Sequence, residues 1–168
     1  MKDTLRLLIT TKCNFKCKYC CNEIEEFNSK FIHKELRNIN FSDYKSVCIT
    51  GGEPFINTYN LYYILLSIPA NIDIYIYTNG VLITEKDISN LEYFDNIRCL
   101  NIGLHSINQL DNIIEDVGNK IKARFHIQDI HKDRLLSTYP NRVREDNIRV
   151  WTLNDCNMPN EDWVVLEL

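Results

Sequence analysis

The chain has 168 residues, 45% hydrophobic and 25% charged, with a formal net charge of −4. That length suits one domain and that apolar share can fill a core, while the negative balance offers no broad basic field to nucleic acid or an anionic membrane. No apolar run reaches the ~18–20 residues of a membrane helix, and the start "MKDTLRLL" lacks the apolar stretch of a signal peptide. A cytoplasmic protein is predicted, whose seven cysteines stay reduced. There, metal ligation or catalysis is favoured over disulfides.

In chain order, "LRLLIT" from Leu5 reads as a first strand. It runs into "CNFKCKYCC", residues 13–21, which holds four of the seven cysteines. A helix is predicted over residues 29–39. The run "SVCIT" from Ser46 is a second strand, ending in "ITGGEPF". Leu61, Ile64, Leu65 and Ile68 then follow the one-face spacing of a helix. "DIYIYT" from Asp73 is a third strand and ends in "TNG". Thr84 with Asp87 forms a capping-box pattern before Ile88 and Leu91. "CLNIGL" from Cys99 is a fourth strand. Leu110, Ile113, Ile114 and Val117 predict a helix with Asn108 as N-cap and Gly118 as stop. "KARFHI" from Lys122 is a fifth strand, followed by a helix over residues 131–138 that Pro140 closes. "IRVWTL" from Ile148 is a sixth.

Six strand–helix alternations predict an α/β fold, a parallel sheet with helices outside, spanning residues 1–168 as one domain. The sheet is either flat and doubly wound or curled into a partial barrel. Both place the site beyond the C-terminal strand ends, where the unusual residues cluster. Cys48 and Cys99 lie inside apolar strands and read as core.

Cys13, Cys17 and Cys20 have the spacing C-x3-C-x2-C. Thiolates are the soft ligands that zinc and iron–sulfur clusters select. Structural zinc wants four protein ligands, and Cys21 is the only near candidate for the fourth. Neighbouring side chains diverge from an extended backbone, so Cys20 and Cys21 serve one ion poorly. A cluster on three cysteines leaves one iron open, an arrangement suited to chemistry. A non-enzymatic zinc or iron–sulfur module is the alternative from another class.

The stretch "TTKCNFKCKYC" resembles the cluster loop of the radical S-adenosylmethionine (radical SAM) enzymes, C-x3-C-x-aromatic-C after the first strand, with Tyr19 at the aromatic position. The resemblance implies a partial (β/α)6 TIM-like barrel and a [4Fe–4S] cluster on Cys13, Cys17 and Cys20. It also implies S-adenosyl-L-methionine on the open iron, with Tyr19 against the adenine. Gly51, Gly52, Glu53 and Pro54 match the family's methionine-binding motif, and Thr78 and Asn79 match a third strand end near the cofactor. The stretch "LNIGLHSIN" resembles the family's "N-V-S-L-D-S" ribose segment. Gly103 stands where Ser is usual and His105 where Asp is usual, with Ser106 retained. Ribose contact through Ser106 or His105 is implied, and Arg124 and Gln128 are candidates for the carboxylate or ribose.

His105 and Cys156 are the candidate catalytic residues, for proton transfer or substrate contact and for hydrogen-atom donation or a second metal. The implied reaction is reductive cleavage of S-adenosylmethionine to a radical that abstracts hydrogen from a small-molecule or nucleotide-like substrate. It needs a low-potential donor of flavodoxin or ferredoxin type and an anaerobic setting. A glycyl-radical-enzyme activase, acting on a partner protein, is the alternative within the family. A degenerate binder without radical chemistry is another. With only short stretches flanking the six strands, no auxiliary-cluster domain is expected.

Overall fold

The computed structural model describes residues 2–17, 20, 31–115, 117–151 and 160–167. Their strands form one parallel sheet: β1 (Thr4–Leu8), β2 (Ile32–Glu35), β3 (Ser46–Thr50), β4 (Asp73–Thr78), β5 (Ile97–Gly103), β6 (Ala123–Ile127), β7 (Ile148–Val150) and β8 (Glu161–Glu167). The order across it is β2-β8-β1-β3-β4-β5-β6-β7. Helices α1 (Thr58–Ser67), α2 (Glu85–Leu91) and α3 (Lys132–Thr138) follow β3, β4 and β6. This is the expected α/β partial barrel, with its six predicted strands in place and two more added at one edge, β8 beside β1 and β2 beyond it.

Strand parity builds two unlike faces. Leu5, Leu7, Val47, Ile49, Ile74, Ile76, Leu100, Ile102 and Phe125 are at most 1% exposed and join one cluster with Leu61, Ile64, Leu65, Ile88, Leu91 and Leu135 of the helices. Each such side chain contributes roughly 1.5–3 kcal/mol by leaving water. The opposite face is polar. Registers Arg6↔Cys48, Cys48↔Tyr75, Tyr77↔Asn101 and Asn101↔Arg124 place these residues side by side across it.

Helix starts follow local chemistry. Asn57 Oδ1 accepts from the Asn60 amide at 3.2 Å to cap α1. The predicted capping box of α2 is present: Asp87 N donates to Thr84 Oγ1 at 3.2 Å and Thr84 N to Asp87 Oδ2 at 2.9 Å. Asp87 Oδ1 also accepts from the Tyr62 hydroxyl at 2.9 Å, tying α2 to α1.

Three expectations need correction. Residues 29–39 are not a helix where described: they hold β2 and a one-turn 3-10 helix, Leu36–Asn38. Backbone pairing to β8 decides this segment, since Ile32 remains 55% exposed and only Leu36 and Ile39 lean on the core. The chain after the sixth predicted strand adds β8, which inserts between β1 and β2. Its Glu161 meets Arg6, Nε to Oε2 at 2.5 Å and Nη2 to Oε1 at 3.0 Å, and the guanidinium lies over the rings of Tyr77 and Trp163. The predicted helix through Leu110–Val117 is instead a 3-10 helix, Ile107–Asn112, with Ser106 rather than Asn108 at its N-cap and an extended Ile113 at its C-cap. Leu110, Ile113 and Val117 are buried all the same. Arg142 donates to the carbonyls of Leu110 (2.8 Å), Ile113 (2.7 Å) and Ile114 (3.1 Å), so groups that a helix would bond internally are taken by a guanidinium.

Candidate functional site

The loops after β1 and β3 are joined by a backbone ladder that outruns the strands. Ile9 N donates to Thr50 O (3.0 Å), Gly52 N to Thr10 O (2.6 Å) and Glu53 N to Lys12 O (2.8 Å). This approach requires glycine. A Cβ on Gly52 would lie 2.1 Å from Lys12 O, and one on Gly51, whose φ is +155°, 2.5 Å from Thr10 O. The "GGEP" segment is therefore the splint of the cysteine loop.

Glu53 extends the splint to the next strand. It is fully buried, yet its carboxylate accepts from Thr78 Oγ1 (2.7 Å), Asn79 N (2.7 Å) and Phe55 N (3.1 Å). Burial raises its pKa and these three bonds pull the other way. Asn79 passes the connection back: its Nδ2 donates to Asn14 Oδ1 at 2.7 Å, inside the cysteine loop. Thr78 and Asn79 are each 7% exposed and act as braces between loops. Pro54 is buried at the start of the 3-10 helix Pro54–Asn57.

On this frame Cys13 is exposed and Cys17 and Cys20 are half-buried. Cys13 Sγ accepts from the Phe15 amide at 3.3 Å. Cys17 Sγ lies 3.3 Å from His105 Nε2, and the His105 ring meets Phe15 edge-on with centroids 6.0 Å apart. Partial burial of the ring lowers the His105 pKa from the usual imidazole range. Cys17, His105, Phe15, Lys16, Leu104, Gln128, His131 and Trp151 line an open cleft of about 310 Å³.

Among the described residues no three His, Cys, Asp or Glu side chains gather as a single metal ion requires. Tetrahedral zinc at ~2.3 Å from sulfur would draw its thiolates to within ~4 Å of one another. The donor set itself, three thiols in the loop that follows β1, is the soft sulfur set that iron–sulfur clusters take.

Cys48 and Cys99 are core residues, 5% and 0% exposed, as expected. Burial pushes the Cys48 thiol up to about 11 and raises Cys99 as well, so both stay protonated.

Of the predicted site residues, the structure brings Cys13, Cys17, Gly51, Gly52, Glu53, Pro54, Thr78, Asn79 and His105 into one hydrogen-bonded neighbourhood, with Gln128 across the cleft. Ser106 is exposed at the rim and makes no side-chain capping bond. Arg124 is not at the rim. It precedes Gln128 by four residues, ~13 Å along a strand. It stands on the polar face beside Asn101, where Arg124 Nε and Asn101 Nδ2 are buried without a hydrogen-bond partner among the described residues. Tyr19, Cys21 and Cys156 lie outside the described residues.

Sequence reasoning missed Gln109, Asn14, His131 and Trp151. Asn14 had a signal in its place between two ligand candidates. Gln109 had none: it is 5% exposed and donates to Asn79 O and Gly103 O, each at 2.8 Å, while accepting from His105 N at 2.8 Å.

Comparison with known proteins agrees with this geometry. The chain is 35% identical over 141 residues to GTP 3',8-cyclase of Staphylococcus epidermidis, a match covering 75% of this chain and 40% of that protein. It is 27% identical over 168 residues to GTP 3',8-cyclase of Clostridium perfringens, covering 80% and 50%. It thus spans half or less of the length of these curated relatives. Among solved structures, native anSMEcpe with bound AdoMet and Cp18Cys peptide superposes with a TM-score of 0.60 at 15% identity, over 95% of this chain and 52% of that one. BtrN in complex with AdoMet and 2-DOIA gives 0.52 at 16%, over 91% and 70%. The Radical SAM superfamily profile matches residues 7–134, from β1 through the splinted cysteine loop to α3: the chain belongs to the radical SAM superfamily, whose characteristic cofactors are a [4Fe–4S] cluster and S-adenosylmethionine.

Proposed function

We propose that this chain is the catalytic core of a radical SAM enzyme acting on a small-molecule, nucleotide-like substrate. The observation that carries the reading is the backbone ladder that ties the start of the cysteine loop, Thr10 and Lys12, to Gly52 and Glu53 of "GGEP" at one rim. The GTP 3',8-cyclase relatives favour the nucleotide over a partner protein as substrate.

Cys13, Cys17 and Cys20 would hold the cluster, and Gly51, Gly52 and Pro54 would present backbone to the methionyl end of S-adenosylmethionine. Tyr19, Ser106 and Gln128 are assigned to its adenine and ribose. When bound, the group supplies the electron that cleaves S-adenosylmethionine to methionine and a 5'-deoxyadenosyl radical. The chain's own part is positional. Glu53, Thr78, Asn79 and Asn14 hold the two loops in register. The polar face below the rim offers Asn101 and Arg124 as unused donors to a substrate. A low-potential flavodoxin or ferredoxin in a reducing, oxygen-poor cytoplasm would serve it. No described helix is long and apolar enough to cross a membrane.

The test is anaerobic reconstitution with iron and sulfide, reduction, and mass spectrometry for 5'-deoxyadenosine with and without added GTP. Product that disappears in Cys17→Ala supports the reading, and stimulation by GTP supports the substrate class. A full cluster that never cleaves S-adenosylmethionine under any of these conditions overturns it.

A further inference from the structure

The two departures from the family's fourth-strand pattern, Gly103 and His105, lie close together, and the space over Gly103 opens toward the imidazole. A Cβ placed on Gly103 would lie 3.9 Å from His105 Nε2. That is room for a bare Cβ. A serine there would carry a hydroxyl beside the imidazole and compete for its proton. The missing side chain at position 103 leaves His105 Nε2 directed at Cys17 Sγ, 3.3 Å away.

His105 is also held from behind. Its backbone N donates to Gln109 Oε1 at 2.8 Å, and the buried Gln109 amide in turn donates to Gly103 O and Asn79 O. Phe15, two residues before Cys17, packs against the ring. A histidine at a loop rim ordinarily samples many rotamers. This one is fixed at its backbone and braced on one side.

We propose that His105 is a positioning residue for the cluster: its Nε2–H donates to the sulfur of Cys17 and raises the reduction potential of the bound cluster. The donor is fixed by chemistry. A thiolate ligand carries no proton, so in this pair only the imidazole can donate. A hydrogen bond to a ligand sulfur draws charge from it and favours the more negative, reduced state. Gly103 is the second half of the device, since it withholds the hydroxyl that would divert that proton. The proposal rests on the radical SAM reading above.

The experiment is an electron-spin-resonance redox titration of the full reconstituted chain, without S-adenosylmethionine, in wild type, His105→Leu, His105→Gln and Gly103→Ser. Iron content and circular dichroism accompany each sample. At a fixed applied potential the reduced-to-oxidised ratio is expected to fall about three- to tenfold in His105→Leu, as losing one hydrogen bond implies. A tenfold fall is ~59 mV for a one-electron couple. His105→Gln, which keeps an N–H at similar reach, should restore most of it, and Gly103→Ser should show part of the loss with His105 intact. Potentials equal in all four proteins overturn the proposal. So does a cluster missing from both His105 variants while their fold is retained, because His105 would then be a ligand. A wild-type chain that assembles no iron–sulfur cluster fails earlier: it removes the cluster reading itself, and this proposal with it.

Discussion

Glu53 spends its carboxylate on three donors and none on solvent. From sequence it looked like a ligand-facing acid. In the structure it is the bolt between the loops after β3 and β4. Because its pKa is raised above 4.5 in the folded state, the folded chain takes up this proton before the unfolded chain does. Stability contributed by this group therefore rises as pH falls from its folded value toward 4.5, and its ionised form costs stability above that window. Glu53→Gln, which does not titrate, should lose ground to wild type as the pH is lowered. Denaturant midpoints of the two proteins at pH 7 and near pH 5 check this. A pH-independent difference would show that the carboxylate is not shifted as described. The thiols separate at the same scale. Buried Cys48 and Cys99 should resist a brief iodoacetamide pulse in the apo chain, and exposed Cys13 should be alkylated, as peptide mapping would show.

Elements were legible where one local pattern decides them. The six runs of β-branched and aromatic residues became strands because alternate positions on each face the same helices, and the Thr84–Asp87 pair capped α2 as its spacing says. Legibility failed where a distant partner overrides local preference. The segment 107–117 carries helical spacing, but Arg142, at least 28 residues away, claims its carbonyls. β2 forms because β8 stands beside it, and nothing within "FIHKEL" announces that edge. β8 itself is pinned by the Arg6–Glu161 pair, with side chains 7% and 13% exposed. Glu161→Ala should destabilise the chain by about 3–5 kcal/mol, because a buried guanidinium is left without its counter-charge. Arg6→Met with Glu161→Leu should recover most of that loss in urea denaturation, while full loss in the double variant would mean that β8 is not held by this pair. At the β1–β3 ladder, Gly52→Ala should cost more than an ordinary surface change, since its Cβ meets backbone rather than a movable side chain. The measurable effect is a lower melting temperature and poorer iron retention.

At the scale of the whole molecule, an open parallel sheet presents an apolar face to helices and a polar face to its hollow side. It gathers the ends of β1, β3, β4 and β5 at one rim. The residue types of the site could be read from sequence because thiols and paired glycines are rare and stand at strand ends. Their mutual bracing could not. Asn14 to Asn79, Glu53 to Thr78 and Gln109 to His105 are contacts between loops, set by how the sheet curls. Arg124 is the instructive case: its strand was legible in "KARFHI", but its depth below the rim follows only from register with Asn101.

As proposed, the splinted loop holds a [4Fe–4S] cluster on Cys13, Cys17 and Cys20, to cleave S-adenosylmethionine. The decisive readout is 5'-deoxyadenosine formed by the reduced, reconstituted chain and its cysteine variants. Product is expected from wild type and from Cys21→Ala, and none from Cys13→Ala, Cys17→Ala or Cys20→Ala. Product surviving loss of any of those three, or a chain that binds zinc and forms none, would contradict it.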